Sequence, residues 1–426
     1  MTSPSRGVWL APYRASQLNA AVTVPGSKSV TNRALLLAAL ADSPSAVGRP
    51  LLARDTRLMM SALRALGCGI EEQPDGGSVT VTPHPFRGPA SIDCGLAGTV
   101  MRFVPPVAAL ATGEVTFDGD PAARARPMGE MLNALRILGA DIETPAAALP
   151  FTVSGSGRMR GGTVTLDASA SSQFVSALLL AGARYDLGVD LRHVGKPLPS
   201  LPHIAMTVDM LRERGVSVDD SEPDRWAVSP GPVKAVNVEV EPDLSSAAPF
   251  LAAAVVRGGT VAVRGWPVET SQPGDQLRWI LALFGATVAP APVGLVVTGS
   301  GSVDGVDIDL HEVGELTPVL AAVAAVARGP SYLRGVAHLR GHETDRLAAL
   351  TSELRRLGAD VHETADGLHI RPATLHGGRF RTYGDHRLAH AAAVLGLVVP
   401  GVEVEDVSTT AKTFPGFPEA WVAMAG

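Results

Sequence analysis

The sequence predicts an α/β protein of two domains, assembled from six repeats of one unit of helices and strands. Three observations predict it. At 426 residues the chain is too long for one ordinary core. An amphipathic helical pattern that ends in glycine recurs at near-constant spacing. A second helical pattern, apolar almost all round, alternates with the first.

The first pattern appears in DTRLMMSALRALG (55–67), RPMGEMLNALRILG (126–139), PHIAMTVDMLRERG (202–215), DQLRWILALFG (275–285) and DRLAALTSELRRLG (345–358). Apolar residues fall at helical spacing, as with Met128, Met131, Leu135 and Leu138. Gly67, Gly139, Gly215, Gly285 and Gly358 close these segments, 70 to 76 residues apart. Glycine supplies the left-handed residue that terminates a helix. After each glycine comes strand, turn, strand, clearest in 140–155 and 359–374. The C-terminal FPEAWVAM reads as a sixth such helix without its hairpin. Segment 8–24 has strand-like pieces and no preceding helix, so the N-terminus is expected to complete the sixth unit and bring the two termini together.

The second pattern opens at PGSKSVTNRALLLAAL (25–40), DCGLAGTVMRFVPPVAAL (93–110), DASASSQFVSALLLAG (167–182), EPDLSSAAPFLAAAVV (241–256), VGELTPVLAAVAAVA (313–327) and GDHRLAHAAAVLGL (384–397). Helices apolar on every face are expected to be buried. Their openings are small and polar, the residue types of helix N-caps. Two readings of the openings stand together. They are simple caps, or their unpaired N–H groups and positive dipole ends form an anion site in a shared cleft.

Composition narrows the function classes. Apolar residues make up 46% and charged residues 18%, the balance of an ordinary globular protein. A formal net charge of -6 argues against nucleic-acid binding. Cys68 and Cys94 match no metal-ligand spacing and no disulfide framework, which points to a reducing, cytoplasmic setting. The opening MTSPSRGVWLAPYR lacks the apolar stretch of a signal peptide, and no apolar run is long enough to span a membrane. Neither a metal nor a cofactor is expected.

Cations gather near helix openings: Lys28 and Arg33 in PGSKSVTNR, Arg126 in ARARP, Arg346 in HETDR, Arg387 in GDHR and Lys412 in TAKTFP. A cation beside a positive helix end is locally unfavourable, so an anion is expected to compensate it. Arginine suits bidentate binding of carboxylate or phosphate, and lysine is a point charge and proton donor. Glu315 opens an otherwise apolar helix. It is either a favourable dipole partner or a general base, held ionised by a depressed pKa among cations. Glu343 and Asp345 sit in HETDR. Ser171, Ser172 and Gln173 are hydrogen-bond formers at the mouth of a buried helix.

Taken in order, PGSKSVTNRALLLAAL, DCGLAGTVMRF, RARPM, SASSQF, HETDRL, GDHRLAH and AKTFP resemble the motifs of the 5-enolpyruvylshikimate-3-phosphate synthases, from about residue 22 to 418. The resemblance implies a two-domain inside-out α/β barrel with three repeats per domain. One domain would be 20–240 and the other 1–19 with 241–426, and domain closure over the substrates would complete the site. It implies phosphoenolpyruvate and shikimate 3-phosphate as the substrates, and a monomer that binds neither nucleic acid nor membrane. Carried over by position, Lys28, Ser29, Arg33, Ser171, Ser172, Gln173, Ser200, Glu315, His338 and His342 would contact shikimate 3-phosphate. Lys28, Gly98, Arg126, Arg346, Arg387 and Lys412 would contact phosphoenolpyruvate. Glu315 would be the base with Lys28 assisting. Either Lys412 or Glu343 would protonate carbon, with His386 close by.

The chain departs from the commoner form of these motifs at several positions. Glu315 stands for Asp, His338 for Asn, His342 for Lys, Leu96 for Asn and His203 for Tyr or Arg. Three other readings compete. A UDP-N-acetylglucosamine enolpyruvyl transferase would carry a reactive cysteine where Pro121 stands. A non-catalytic anion-binding paralogue would not be expected to retain all the cations. An RNA-end-processing enzyme would show basic, aromatic-interleaved stretches, which are missing here.

Overall fold

The structure is a computed structural model and describes residues 7–426. The first six residues of the expected second domain lie outside the described residues. The fold divides into two compact units, Gly26–Val240 on one side and the described residues up to Pro25 with Glu241–Gly426 on the other. The division falls at Pro25 rather than at residue 19. The reason is that Leu18–Val22 forms a parallel pair with Gly259–Arg264 and so belongs to the C-terminal unit.

In unit 26–240 the helices are α1 (Lys28–Ala39), α2 (Arg54–Ala65), α3 (Gly98–Ala108), α4 (Pro121–Arg124), α5 (Gly129–Ile137), α6 (Gln173–Gly182) and α7 (Pro202–Glu213). Helices α1, α3 and α6 pack against one another. They are the wholly apolar class, and their residues are buried on nearly every face. Helices α2, α5 and α7 are the amphipathic class. They bury one stripe, as Met59, Met60 and Leu63 do on α2, and leave the other to solvent. Gly67, Gly139 and Gly215 follow them at φ +104°, +111° and +74°, a region a side chain would disfavour.

Three four-stranded sheets surround these helices. Each has one parallel pair followed by an antiparallel hairpin. In one, Ala90–Asp93 runs parallel to Thr112–Asp118, which pairs antiparallel with Phe151–Ser156. The short strand Val238–Glu239 joins the sheet of Ser45–Gly48, so the end of the unit closes its first sheet.

The other unit repeats the plan. Its helices are α8 (Leu244–Arg257), α9 (Leu277–Leu283), α10 (Thr317–Ala325), α11 (Arg346–Arg356), α12 (His386–Gly396) and α13 (Phe417–Ala425). Helices α8, α10 and α12 form the buried centre. Two of its sheets have four strands and the third has three. In that third sheet Val8–Leu10 pairs antiparallel with Val402–Glu405, beside Gly378–Phe380. The N-terminal segment thus supplies one hairpin strand to the last repeat. Each unit has its own continuous apolar core.

Candidate active site

In unit 26–240 the first turns of the three central helices are tied together. Asn32 on α1 donates to Thr99 on α3 at 2.9 Å. Arg102 on α3 donates to Gln173 on α6 at 2.7 Å. Their N-terminal ends therefore lie at one end of the bundle, with unpaired N–H groups and partial positive charge. Ser27 caps α1, and Lys28 directly follows it. The Lys28 ammonium pairs at 3.3 Å with Asp55, a buried carboxylate at the start of α2. Ser172, at the start of α6, is buried, and Ser171 Oγ accepts from the Gln173 N–H. Ser200 is left-handed at φ +56°, a strained setting just before α7.

Gly98 begins α3. A Cβ there would stand 3.0 Å from an Arg102 nitrogen and 3.1 Å from an Arg126 nitrogen. Two guanidinium groups thus converge on a helix N-terminus that has no side chain of its own. Arg126 makes no side-chain hydrogen bond or ion pair among the described residues, and its Nε is buried. Arg33 is different. It is 2% exposed and donates to Thr207 and Ser176 hydroxyls and to the Ser29 and His203 carbonyls. Burial without a carboxylate partner lowers its pKa to about 9. Its donors clamp α1 to α6 and α7.

The other unit holds a second cluster. Glu315 lies in a 3₁₀ turn (His311–Leu316) leading into α10. Ser245 Oγ donates to Glu315 at 3.3 Å, and the Ser245 carbonyl accepts from Arg387 at 2.8 Å. Burial raises the Glu315 pKa above its ordinary value, against the opposing pull of Arg387. The sequence reading of a depressed pKa is corrected here: desolvation outweighs the neighbouring cations. Burial likewise lowers the Arg387 pKa, opposed by Asp243 and Glu315.

Arg346, at the start of α11, holds Asp385 through Nε and one terminal nitrogen, at 2.7 and 3.2 Å, and donates to Glu343 at 3.0 Å. Glu343 also receives Lys412 at 2.6 Å. Burial works to raise the Glu343 pKa, but Lys412 and Arg346 together hold it well below the carboxylate range. Asp385 caps α12 by accepting from the Arg387 N–H at 2.9 Å, and His386 follows it. His338 stands between His311 and His342, each ring 5.8 Å away. Burial, then His311 and Arg346, lower the His338 pKa to about 4, so it is neutral at pH 7. His342 Nδ1 lies 3.3 Å from Arg346.

The chain matches the family model described as EPSP synthase (3-phosphoshikimate 1-carboxyvinyltransferase) over residues 12–421. It is 56% identical to the 3-phosphoshikimate 1-carboxyvinyltransferase of Kocuria rhizophila, covering 98% of this chain and 97% of that one. The chain belongs to the EPSP synthase family. The solved EPSP synthase of Acinetobacter baumannii superposes with a TM-score of 0.80 at 26% identity, covering 98% of this chain and 97% of that one. The enolpyruvyl transferase NikO of Streptomyces tendae matches with a TM-score of 0.78 over 97% of this chain and 96% of its own. At 19% identity that second likeness speaks to fold alone. The fold is accordingly the two-domain inside-out α/β type that the motifs implied.

Within this EPSP synthase fold, the predicted residues fall into two sets. Lys28, Ser29, Gly98, Arg126, Ser171, Ser172, Gln173 and Ser200 sit in unit 26–240. Glu315, His338, His342, Glu343, Arg346, His386, Arg387 and Lys412 sit in the other. Sequence reasoning missed Arg102, Asp55 and Asp385. Arg102 had a readable signal, one helical turn after Gly98 in GTVMR. Asp55 and Asp385 read only as helix openings.

Proposed function

We infer that the chain transfers the enolpyruvyl group of phosphoenolpyruvate to the 5-hydroxyl of shikimate 3-phosphate and releases phosphate, on the route to chorismate and the aromatic amino acids. One observation carries the chemistry: a carboxylate kept basic by burial, Glu315, stands in the same unit as the Glu343–Lys412 ion pair. A base for the hydroxyl and a charged donor for carbon are the two acid–base groups the reaction needs.

Lys412 donates a proton to the methylene carbon of phosphoenolpyruvate, and positive character develops at the neighbouring carbon. The sugar-like hydroxyl attacks that carbon and gives its proton to Glu315. The tetrahedral adduct then expels phosphate and returns a methyl proton to the neutral Lys412 amine, which restores both the carbon–carbon double bond and the lysine charge. Glu343 is not the donor, because its cation neighbours hold it ionised. Its negative charge instead favours a protonated Lys412 before transfer. Gly98, Arg102 and Arg126 bind anionic oxygen at the α3 N-terminus, where helix dipole and guanidinium charge add. Gln173, Ser171, Ser172 and Ser200 serve the phosphate and ring hydroxyls, and Lys28 assists both substrates. Such preorganised charge is usually the largest single contribution to catalysis. The reaction as written calls on no metal or cofactor. The reading extends to a monomer working in the cytoplasm.

Phosphate release from phosphoenolpyruvate with shikimate 3-phosphate as acceptor tests the assignment. Turnover is expected with this pair. Release with UDP-N-acetylglucosamine, and none with shikimate 3-phosphate, would overturn it.

A further inference from the structure

Unit 26–240 contains a cavity of about 960 Å³ at the far ends of its central helices. Ala39 and Leu40 at the end of α1, Leu110 after α3 and Arg184 after α6 all line it. Along α1 this is roughly 18 Å from Lys28, at 1.5 Å per residue. The cavity is therefore separate from the helix openings that carry the candidate active site.

The arginines of this unit single the cavity out. The unit contains seventeen, and all but three have a side-chain hydrogen bond or ion pair among the described residues. One exception is Arg126, beside Gly98 at the candidate active site. The other two, Arg87 and Arg184, both line this one cavity. Arg87 is held on a fixed platform. Its N–H bonds the Leu66 carbonyl at 3.1 Å, Gly88 bonds Thr112 at 2.7 Å, and its stem lies over Gly67. The sole acid in the lining, Asp42, already accepts from Ser43 and the Ala235 N–H. Two arginines against one carboxylate leave the wall with a net positive charge. Phe86, Pro83 and Pro85 give the rest of the wall a rigid apolar surface. A volume of this size lies within the range of pockets that enclose small organic ligands.

We propose that this cavity is a second ligand site, which takes a small organic anion. The ligand would have a ring-sized apolar body and a carboxylate, sulfonate or phosphate group. The anionic group is held by Arg87 and Arg184, which suit two-pronged binding of planar or tetrahedral oxyanions. The body lies on Phe86 and the two prolines. The proposal stands on the cavity and its arginines and does not depend on the assigned reaction.

The test uses anilinonaphthalene sulfonate, with its uncharged relative N-phenylnaphthylamine as control, by fluorescence titration and calorimetry on the whole chain. One equivalent of the sulfonate is expected to bind saturably. The Arg87→Ala/Arg184→Ala double variant should bind it about tenfold more weakly or worse. The uncharged control should bind weakly to both forms. Saturating phosphoenolpyruvate with shikimate 3-phosphate should leave the sulfonate in place. Arg87 and Arg184 are exposed, so phosphate release and thermal unfolding should match the parent and establish that the variant is folded. Absence of saturable binding, equal binding to the double variant, equal binding of the uncharged control, or displacement by the substrates would each overturn the proposal.

Discussion

The two units share one plan but differ in how their arginines are satisfied. In unit 26–240 the openings of the central helices are lined by hydroxyls, an amide, and guanidinium groups with few carboxylates near them. Arg33 is satisfied by hydroxyls and carbonyls alone, and Arg126 by no protein group among those described. In the other unit the equivalent cations are tied to protein carboxylates: Arg346 to Asp385 and Glu343, and Lys412 to Glu343. The first arrangement leaves positive charge for an incoming anion. The second fixes protonation states. On the proposed roles, the residues that hold substrate anions and hydroxyls fall mainly in one unit and those that move protons fall mainly in the other.

The strongest way to break this division is Glu315→Gln. It keeps the hydrogen-bonding shape and removes the base. Turnover should fall about a thousandfold, the scale of a positioned general base. Binding of both substrates, read by calorimetry, should persist. Near-normal turnover would remove Glu315 from the mechanism. The parent enzyme should lose activity as pH falls through the raised Glu315 pKa, because protonation removes the base.

Next in size is Asp385→Ala. It strips Arg346 of its two-pronged partner and α12 of its cap, leaving a buried cation short of a counter-charge. Such a loss costs roughly 3–5 kcal/mol in stability, seen as a lowered Tm. Asp55→Ala in the other unit offers a direct comparison. Its partner Lys28 has 21% of its side chain exposed, so water takes up part of the freed charge. The cost there should be clearly smaller, about 1–2 kcal/mol. Equal costs would mean that the two units do not differ in how they hold charge.

Arg126→Ala follows. With no side-chain hydrogen bond or ion pair among the described residues to leave behind, its loss should spare stability and raise the phosphoenolpyruvate KM about tenfold or more, the scale of a charge-assisted bond. Arg102→Ala should raise the same KM, but it also releases Gln173 and removes a buried side chain, so here stability should fall as well. An effect confined to the shikimate 3-phosphate KM would contradict the placement of the anion site at Gly98.

These contrasts show what the sequence could and could not reveal. The repeat, the glycine stops and the two helix classes are local patterns, and residues 70 to 76 apart report them directly. The cations at helix openings were legible for the same reason. Their partners were not. Arg346 and Asp385 are 39 residues apart, Lys412 and Glu343 are 69 apart, and Arg102 and Gln173 are 71 apart. No spacing rule links such positions, because sheet and helix packing brings them together. Arg33 was legible as a cation near a helix opening, but its bonds to Ser176 and Thr207, on α6 and α7, were not. Glu315 shows the same limit in its pKa. Nearby positive charge can be read from sequence, and the extent of desolvation cannot.

The smallest effect concerns His390, which lies on α12 one turn from His386 and is wholly buried, with neither ring nitrogen bonded among the described residues. Its ring packs 4.5 Å from Phe417. Burial, then the charge of Arg387, hold its pKa well below the ordinary histidine value. Above about pH 6.5 the ring is neutral in both folded and unfolded chains and carries no penalty. Below that, the unfolded chain takes up a proton that the folded chain refuses. Stability should then fall by up to about 1.4 kcal/mol per pH unit from this residue until the folded pKa is reached. His338, lowered to about 4, contributes in the same direction. His390→Phe suits the aromatic contact and removes one of the two histidines, so it should flatten the loss of stability between about pH 6.5 and 5 without abolishing it. Denaturant titrations at stepped pH measure that slope. An unchanged slope would mean that His390 finds a proton-compatible setting in the folded chain, and the acid sensitivity of this unit would then have to come from its carboxylates.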